Sequence, residues 1–258
     1  MEKSLKISLI QTDVIWENVD ANLMHNGNLI SGLDADTDIV VLPEMYSTGF
    51  SMNIKNAEKI NGTTIEWMKN TARKNNIVVT GSIIFSENNK IFNRLIWMDP
   101  SGSYSFYDKR HLFRMGKEGE YYSQGTDKLI VDYNGWKICP LICYDLRFPV
   151  WSRNVEGYDI LIYVANWPSS RINAWNTLLK ARAIENQCYV IGVNRVGVDG
   201  NKLDYPGESM FIDPKGQILN EISDRDTIIT RTLNLDILND FRRQFPVSKD
   251  ADNFKIII

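Results

Sequence analysis

At 258 residues, with 43% hydrophobic, 24% charged and 11% aromatic side chains, the chain has a globular composition that excludes disordered, collagen-like and fibrous classes. Lys and Arg total 29 against 32 Asp and Glu, a net charge of −3 that argues against a nucleic-acid partner. No apolar run approaches the ~18 residues of a membrane span, the opening hexapeptide lacks a signal peptide's apolar stretch, and three cysteines make no disulfide framework, so a reduced cytoplasm is expected.

Residues 6–12 read as a strand, and residues 19–33, with Leu23, Ile30 and Leu33 among polar neighbours, as a helix. Residues 38–43 are a β-branched run short enough for a buried strand. The order then repeats. Residues 63–75 place Ile65, Trp67, Met68 and Ala72 at helical spacing behind a capping box of Thr63 and Glu66, and residues 77–85 follow as a strand. Strand, helix, strand, helix means an α/β fold. Residues 93–98 and 103–107 flank Asp99-Pro100-Ser101-Gly102, a hairpin signal, and residues 209–212 and 217–219 flank Asp213-Pro214-Lys215-Gly216 in the same way. Residues 77–81 resemble 189–193, and residues 6–10 resemble 137–141. This reads as a weak internal duplication, although similar elements of separate origin would look alike. No linker rich in Pro, Gly or Ser divides the halves, so one domain over 1–258, with two similar sheets and helices outside, is the economical reading.

Three stretches break the pattern. Leu42-Pro43-Glu44-Met45 puts a carboxylate at the end of a buried-looking strand, where sites assemble in α/β folds. Residues 107–118 are the most basic window, read either as a solvated loop or as a means of aiming Lys109 inward. In Ile142-Cys143-Tyr144-Asp145, an apolar strand runs into a cysteine and polarity returns abruptly, as at a nucleophile elbow. Cys139 and Cys188 lie within apolar runs and read as core. Two routes to an active Cys143 follow. One pairs it with His111 or His25, the only histidines; the other uses a Glu as base and a Lys to hold an oxyanion. Two histidines are too few for a His-based metal site.

Leu42-Pro43-Glu44, Asp108-Lys109-Arg110-His111-Leu112-Phe113 and Ile142-Cys143-Tyr144-Asp145-Leu146-Arg147-Phe148-Pro149 resemble, in order, the three catalytic signatures of the nitrilase superfamily of carbon–nitrogen hydrolases. Residues 118–125 resemble the segment with that family's assisting glutamate, which picks Glu118 over Glu120. Residues 181–186 resemble the helix after the nucleophile strand. The resemblance spans about residues 5–219. It implies a four-layer α-β-β-α sandwich with a pseudo-two-fold, no metal, no cofactor and a homodimer, with residues 221–258 an extension toward the interface. It further implies Cys143 as nucleophile, Glu44 as base, and Lys109 with the Tyr144 backbone N–H as oxyanion site. Residues 110–115 and 241–246 look most like the bacterial omega-amidase branch, whose substrates are ω-amides of small dicarboxylic or α-keto acids such as 2-oxoglutaramate. A nitrilase, an N-carbamoyl amine hydrolase or a catalytically silent relative are the alternatives. Arg147 is the expected receiver of the substrate carboxylate, with Tyr46 and Trp167 as further substrate contacts. Arg114 and Arg171 are the alternatives to Arg147, and the competing reading of Arg147 is a structural pairing with Asp145 or Glu185. The apolar tail, residues 254–258, is expected to pair as a strand or to pack across a dimer interface.

Overall fold

The structure, a computed structural model, describes residues 3–257. The first half supplies β1 (Ser4–Gln11), β2 (Ile39–Val41), β3 (Val78–Glu87), β4 (Lys90–Met98) and β5 (Tyr104–Asp108). The second half supplies β6 (Val131–Tyr133), β7 (Trp136–Ile142), β8 (Ile160–Ala165), β9 (Tyr189–Asn194), the small ribbon β10 (Val196–Val198) and β11 (Asp204–Pro206), and β12 (Met210–Ile212). The last strand, β13 (Thr227–Asn234), returns to the first sheet beside β1. Helices α1 (Val19–Ser31), α2 (Thr63–Asn75) and α5 (Ile172–Asn186) are long; α3 (Glu118–Tyr121) and α4 (Pro149–Ser152) are single turns; α6 (Leu235–Gln244) follows β13.

The strand orders are β13-β1-β2-β3-β4-β5 and β12-β9-β8-β7-β6. In each sheet three parallel strands, β1-β2-β3 or β7-β8-β9, are followed by an antiparallel one, β4 or β12. The Asp99 and Asp213 turns occupy matching places, the second closed by a single bridge between Ile212 and Ile218. The similarities between residues 6–10 and 137–141, and between 77–81 and 189–193, therefore fall on equivalent strands.

Alternation builds the layers. Ile7, Leu9, Ile39, Val41, Val78 and Trp97 join residues of the second sheet in one core, while Ile10, Val40, Leu42, Val79 and Ile96 face Leu23, Ile30, Ile65, Met68 and Ala72 of α1 and α2. On the far side, Trp175, Leu179 and Ala183 of α5 cover the second sheet. Sheets face to face, with helices outside, are the result.

Local details depart from the expected ones. The capping box at Thr63 and Glu66 does not form. Gly62 is the N-cap of α2, Glu66 sits beside Lys69 at 3.6 Å, and Glu58 reaches back to accept from both the Thr64 N–H and its hydroxyl. Of the tail, Ile258 lies outside the described residues; residues 251–257 form no strand, and Ile256 packs partly against the large apolar cluster built around the second sheet. Among the described residues, no helix is long and apolar enough to cross a membrane.

Candidate active site

The carboxyl ends of the parallel strands of both sheets open on one cleft of about 400 Å³. Glu44 follows β2, Lys109 follows β5, Cys143 follows β7 and Asn166 follows β8. All four line the cleft.

Cys143 starts a short 3-10 helix, Cys143–Arg147, with a left-handed φ of 42°. For a non-glycine residue this is a sparsely populated conformation that surrounding structure must enforce. The buried Asp145 carboxylate does so, accepting from the Ile142 N–H at 3.1 Å, the His111 N–H at 3.0 Å and the Tyr107 hydroxyl at 2.7 Å. From α5, Arg182 donates to the Leu146 carbonyl at 2.6 Å, which accounts for an arginine within the helix after the nucleophile strand. The turn leaves Cys143 Sγ partly exposed at the cleft, 3.9 Å from the Asn166 carbonyl. The Tyr144 N–H lies in the first turn of the short helix, where no intrahelical acceptor exists.

Glu44 is held by a second left-handed residue, Met45, at φ 44°. The Asn166 N–H donates to Glu44 Oε2 at 2.9 Å, and its side-chain amide to the Glu44 carbonyl at 2.6 Å. Lys109 Nζ lies 2.8 Å from Glu44 Oε1 and 2.9 Å from Glu118 Oε2, all three side chains having no exposed surface. Asn93 Nδ2 bridges the carboxylates, at 2.8 Å to Glu44 and 3.1 Å to Glu118. The Phe113 N–H donates to Glu118 at 2.5 Å.

Burial opposes charge on Lys109, but Glu118 and Glu44 outweigh it and hold the ammonium above the usual lysine range. Burial raises the Glu118 carboxyl, and Glu44 adds to this while Lys109 opposes it. Burial, then the charge of Glu44, lift the Cys143 thiol well above its ordinary value against the pull of Lys109. Both effects favour the thiol form of Cys143 and the ammonium form of Lys109.

The expected residues divide clearly. Glu44, Lys109, Cys143, Tyr144, Arg147 and Trp167 line the cleft, and Glu118 stands directly behind Lys109. Glu120, two residues on, faces solvent. Tyr46 does not reach the cleft. In an extended strand it would share a face with Glu44, but the left-handed Met45 breaks that periodicity. Its ring is buried against Trp67 in the outer core. His111 is occupied by Asp145 at 2.8 Å and stacks on Phe148, and His25 sits 2.8 Å from Asp226; neither lines the cleft. Arg147 pairs with neither Asp145 nor Glu185. The first is saturated by Tyr107, Ile142 and His111, and the second is taken by Arg182 at 3.0 Å. Arg114 lies outside the cleft, whereas Arg171 lines it. Cys139 and Cys188 are buried in the core.

Asn93 and Asn166 escaped the sequence reading. Asn166 carries the same signal as Glu44 and Cys143, a polar residue directly after an apolar strand. Asn93 carries none, since an amide in an alternating strand reads as solvent-facing. Among the described residues, no group of three or more His, Cys, Asp or Glu side chains is placed to hold a metal ion.

Comparison with known proteins agrees in fold and sequence. The carbon-nitrogen hydrolase family model matches residues 6–243. The chain is 43% identical over 253 residues to omega-amidase YafV of Escherichia coli strain K12, covering 98% of each. It is 33% identical over 250 residues to 2-oxoglutaramate amidase of Bacillus subtilis strain 168, covering 95% of this chain and 96% of that one. Among solved structures, XC1258 of Xanthomonas campestris, a CN-hydrolase superfamily protein with an arsenic adduct in its active site, superposes with a TM-score of 0.96 at 44% identity, over 98% of this chain and 99% of that one.

Proposed function

The chain belongs to the carbon-nitrogen hydrolase family and is an amidase acting on non-peptide carbon–nitrogen bonds, and we propose that it hydrolyses the ω-amide of small dicarboxylic or 2-oxo acid monoamides such as 2-oxoglutaramate. One observation carries the substrate class. Arg147 faces the cleft that Cys143 also lines, with no carboxylate partner among the described residues, ready for the acid end of a substrate whose amide lies over the sulfur. The activities named for the two curated relatives support the same reading.

The chemistry follows from the charges. Glu44 takes the Cys143 proton as sulfur attacks the amide carbon, because burial and the charge of Glu44 raise the thiol and disfavour a standing thiolate. The oxyanion that forms is met by Lys109 Nζ and the Tyr144 N–H. On collapse the carbon–nitrogen bond breaks, Glu44 returns the proton to the leaving nitrogen, and ammonia departs. The resulting thioester is attacked by water, which gives a proton to Glu44. The carbon–sulfur bond then breaks, the acid is released and the thiol regains its proton. Glu118 and Asn93 hold Lys109 and Glu44 in place throughout.

The test is ammonia release from ω-amides, nitriles and carbamoyl amines at equal concentration, by wild type and Cys143→Ala. Turnover confined to acid ω-amides and absent from the variant is expected. Faster turnover of nitriles or carbamoyl amines would overturn the substrate reading, and activity surviving Cys143→Ala would overturn the mechanism. A homodimer in a cytoplasmic setting belongs to the same proposal.

A further inference from the structure

Arg147 is not the only guanidinium facing the cleft; Arg171 does as well. The nearby carboxylates are occupied. Glu44 and Glu118 hold Lys109, while Asp199 accepts from the Asn201 and Leu203 N–H groups and the Tyr205 hydroxyl. Each arginine lies instead against an aromatic wall, Arg147 at 5.1 Å from the Trp167 ring centroid and Arg171 at 5.1 Å from that of Phe113. The frame is continuous. Trp167 Nε1 donates to the Arg171 carbonyl at 2.8 Å, Phe113 packs edge-on against Tyr144 at 5.1 Å, and Tyr144 shares its short helix with Cys143 and Arg147. An aromatic face positions a guanidinium without cancelling its charge. Two such charges around one small cleft repel each other until acceptors lie between them. One carboxylate fills one planar fork bidentately and leaves the other unfilled.

We propose that Arg171 is a second substrate-binding cation that receives the oxo oxygen adjacent to the substrate carboxylate, so that the cleft selects 2-oxo acid ω-amides over the saturated acid amides of equal length. This rests on the reading of Arg147 as receiver of the carboxylate and adds the residue that distinguishes between acids. The same arrangement predicts rejection of an α-ammonium group, which two guanidinium groups repel and which neither cleft carboxylate, Glu44 on Lys109 nor Asp199 on its own loop, is open to receive.

The test compares wild type, R171A and R147A on 2-oxoglutaramate, glutaramate, and pentanamide, in which a methyl replaces the carboxylate. Loss of a hydrogen bond to a charged group predicts a roughly 10- to 100-fold fall in kcat/KM for R171A on 2-oxoglutaramate. Glutaramate should change far less, and pentanamide not at all. R147A should impair both acids. Equal losses for R171A on 2-oxoglutaramate and glutaramate would overturn the assignment, as would equal losses on all three. Wild type that turns over pentanamide as well as the acids would overturn the carboxylate reading itself, an outcome recognisable without any variant. The Trp167 tether uses the Arg171 carbonyl, so R171A keeps it; should R171A nonetheless not fold, R171Q is held to the same substrate ratio, which a merely structural role does not move.

Discussion

The resting state of Cys143 is the residue-scale question that pH can answer. A thiolate paired with an imidazolium is alkylated at a rate that levels off near neutrality, because its pKa is depressed. Here burial and Glu44 push the other way. The rate of iodoacetamide labelling at Cys143 should therefore keep climbing as pH rises past about 8.5, the free-thiol value. Glu44→Gln removes the nearer negative charge, so the inflection should move down while turnover falls. A wild-type plateau near pH 7 would rule out the carboxylate-base arrangement. If Lys109 donates to the oxyanion as proposed, Lys109→Ala should cost ~10²–10³ in kcat. Arg110→Ala should cost little, since that side chain bonds the Gly125 carbonyl outside the cleft. Glu118→Gln should lower kcat and Glu120→Gln should not. Glu44 and Cys143 stood out as polar residues directly after apolar strands and Lys109 as part of the most basic window, but it was the resemblance to the nitrilase superfamily that joined the three into one set. Asn93 was not, because only β4 lying beneath both carboxylates makes an amide necessary there.

At the scale of elements, the site depends on close backbone contacts that residue patterns scarcely reveal. Gly125 donates its N–H to the Lys109 carbonyl at 3.0 Å, and a Cβ at this position would collide with the Asp108 carbonyl oxygen. That obstacle is main chain and cannot rotate away. Gly125→Ala should shift the β5 end that carries Lys109, lowering kcat more than KM, with a visible drop in Tm. The cap of α2 offers the contrasting case. Glu58 substitutes there for the expected Thr63–Glu66 box because the helix begins behind Gly62, and a carboxylate five residues before Thr63 reaches its first turn. Capping losses run about 0.5–2 kcal/mol, so Glu58→Ala should lower stability by that order in a denaturant titration while leaving kcat/KM intact. The helix itself was legible from its 3.6-residue spacing. Its cap was not, because a residue outside the local window supplied it.

Across the whole molecule, the cleft lies on the seam between two halves. The first half brings Glu44, Asn93, Lys109 and Glu118; the second brings Cys143, Arg147, Asn166, Trp167 and Arg171. The hydrogen bonds from Asn166 to Glu44 join the ends of β2 and β8 directly. The duplication was legible as two turns and two pairs of similar strands, but that the halves would meet at these ends is a consequence of packing both sheets through one core. The return of the chain to the first sheet raises a further issue. Beyond β13, Ile237 within α6 and Phe245 just past it are each 61% exposed, and Ile257 is 91% exposed. Apolar side chains left this open in a terminal segment are a liability for an isolated chain. Ile256 packs partly against the large apolar cluster, so the tail is anchored there while its neighbours face outward. A second copy covering α6 and the tail would bury them. Truncation after Asp252 should then shift sedimentation from dimer to monomer and lower Tm. Because, among the described residues, none that lines the cleft comes from beyond Tyr205, the truncated chain should keep most of its kcat at temperatures where it remains folded. A truncated chain that sediments as a stable dimer would overturn this role for the tail.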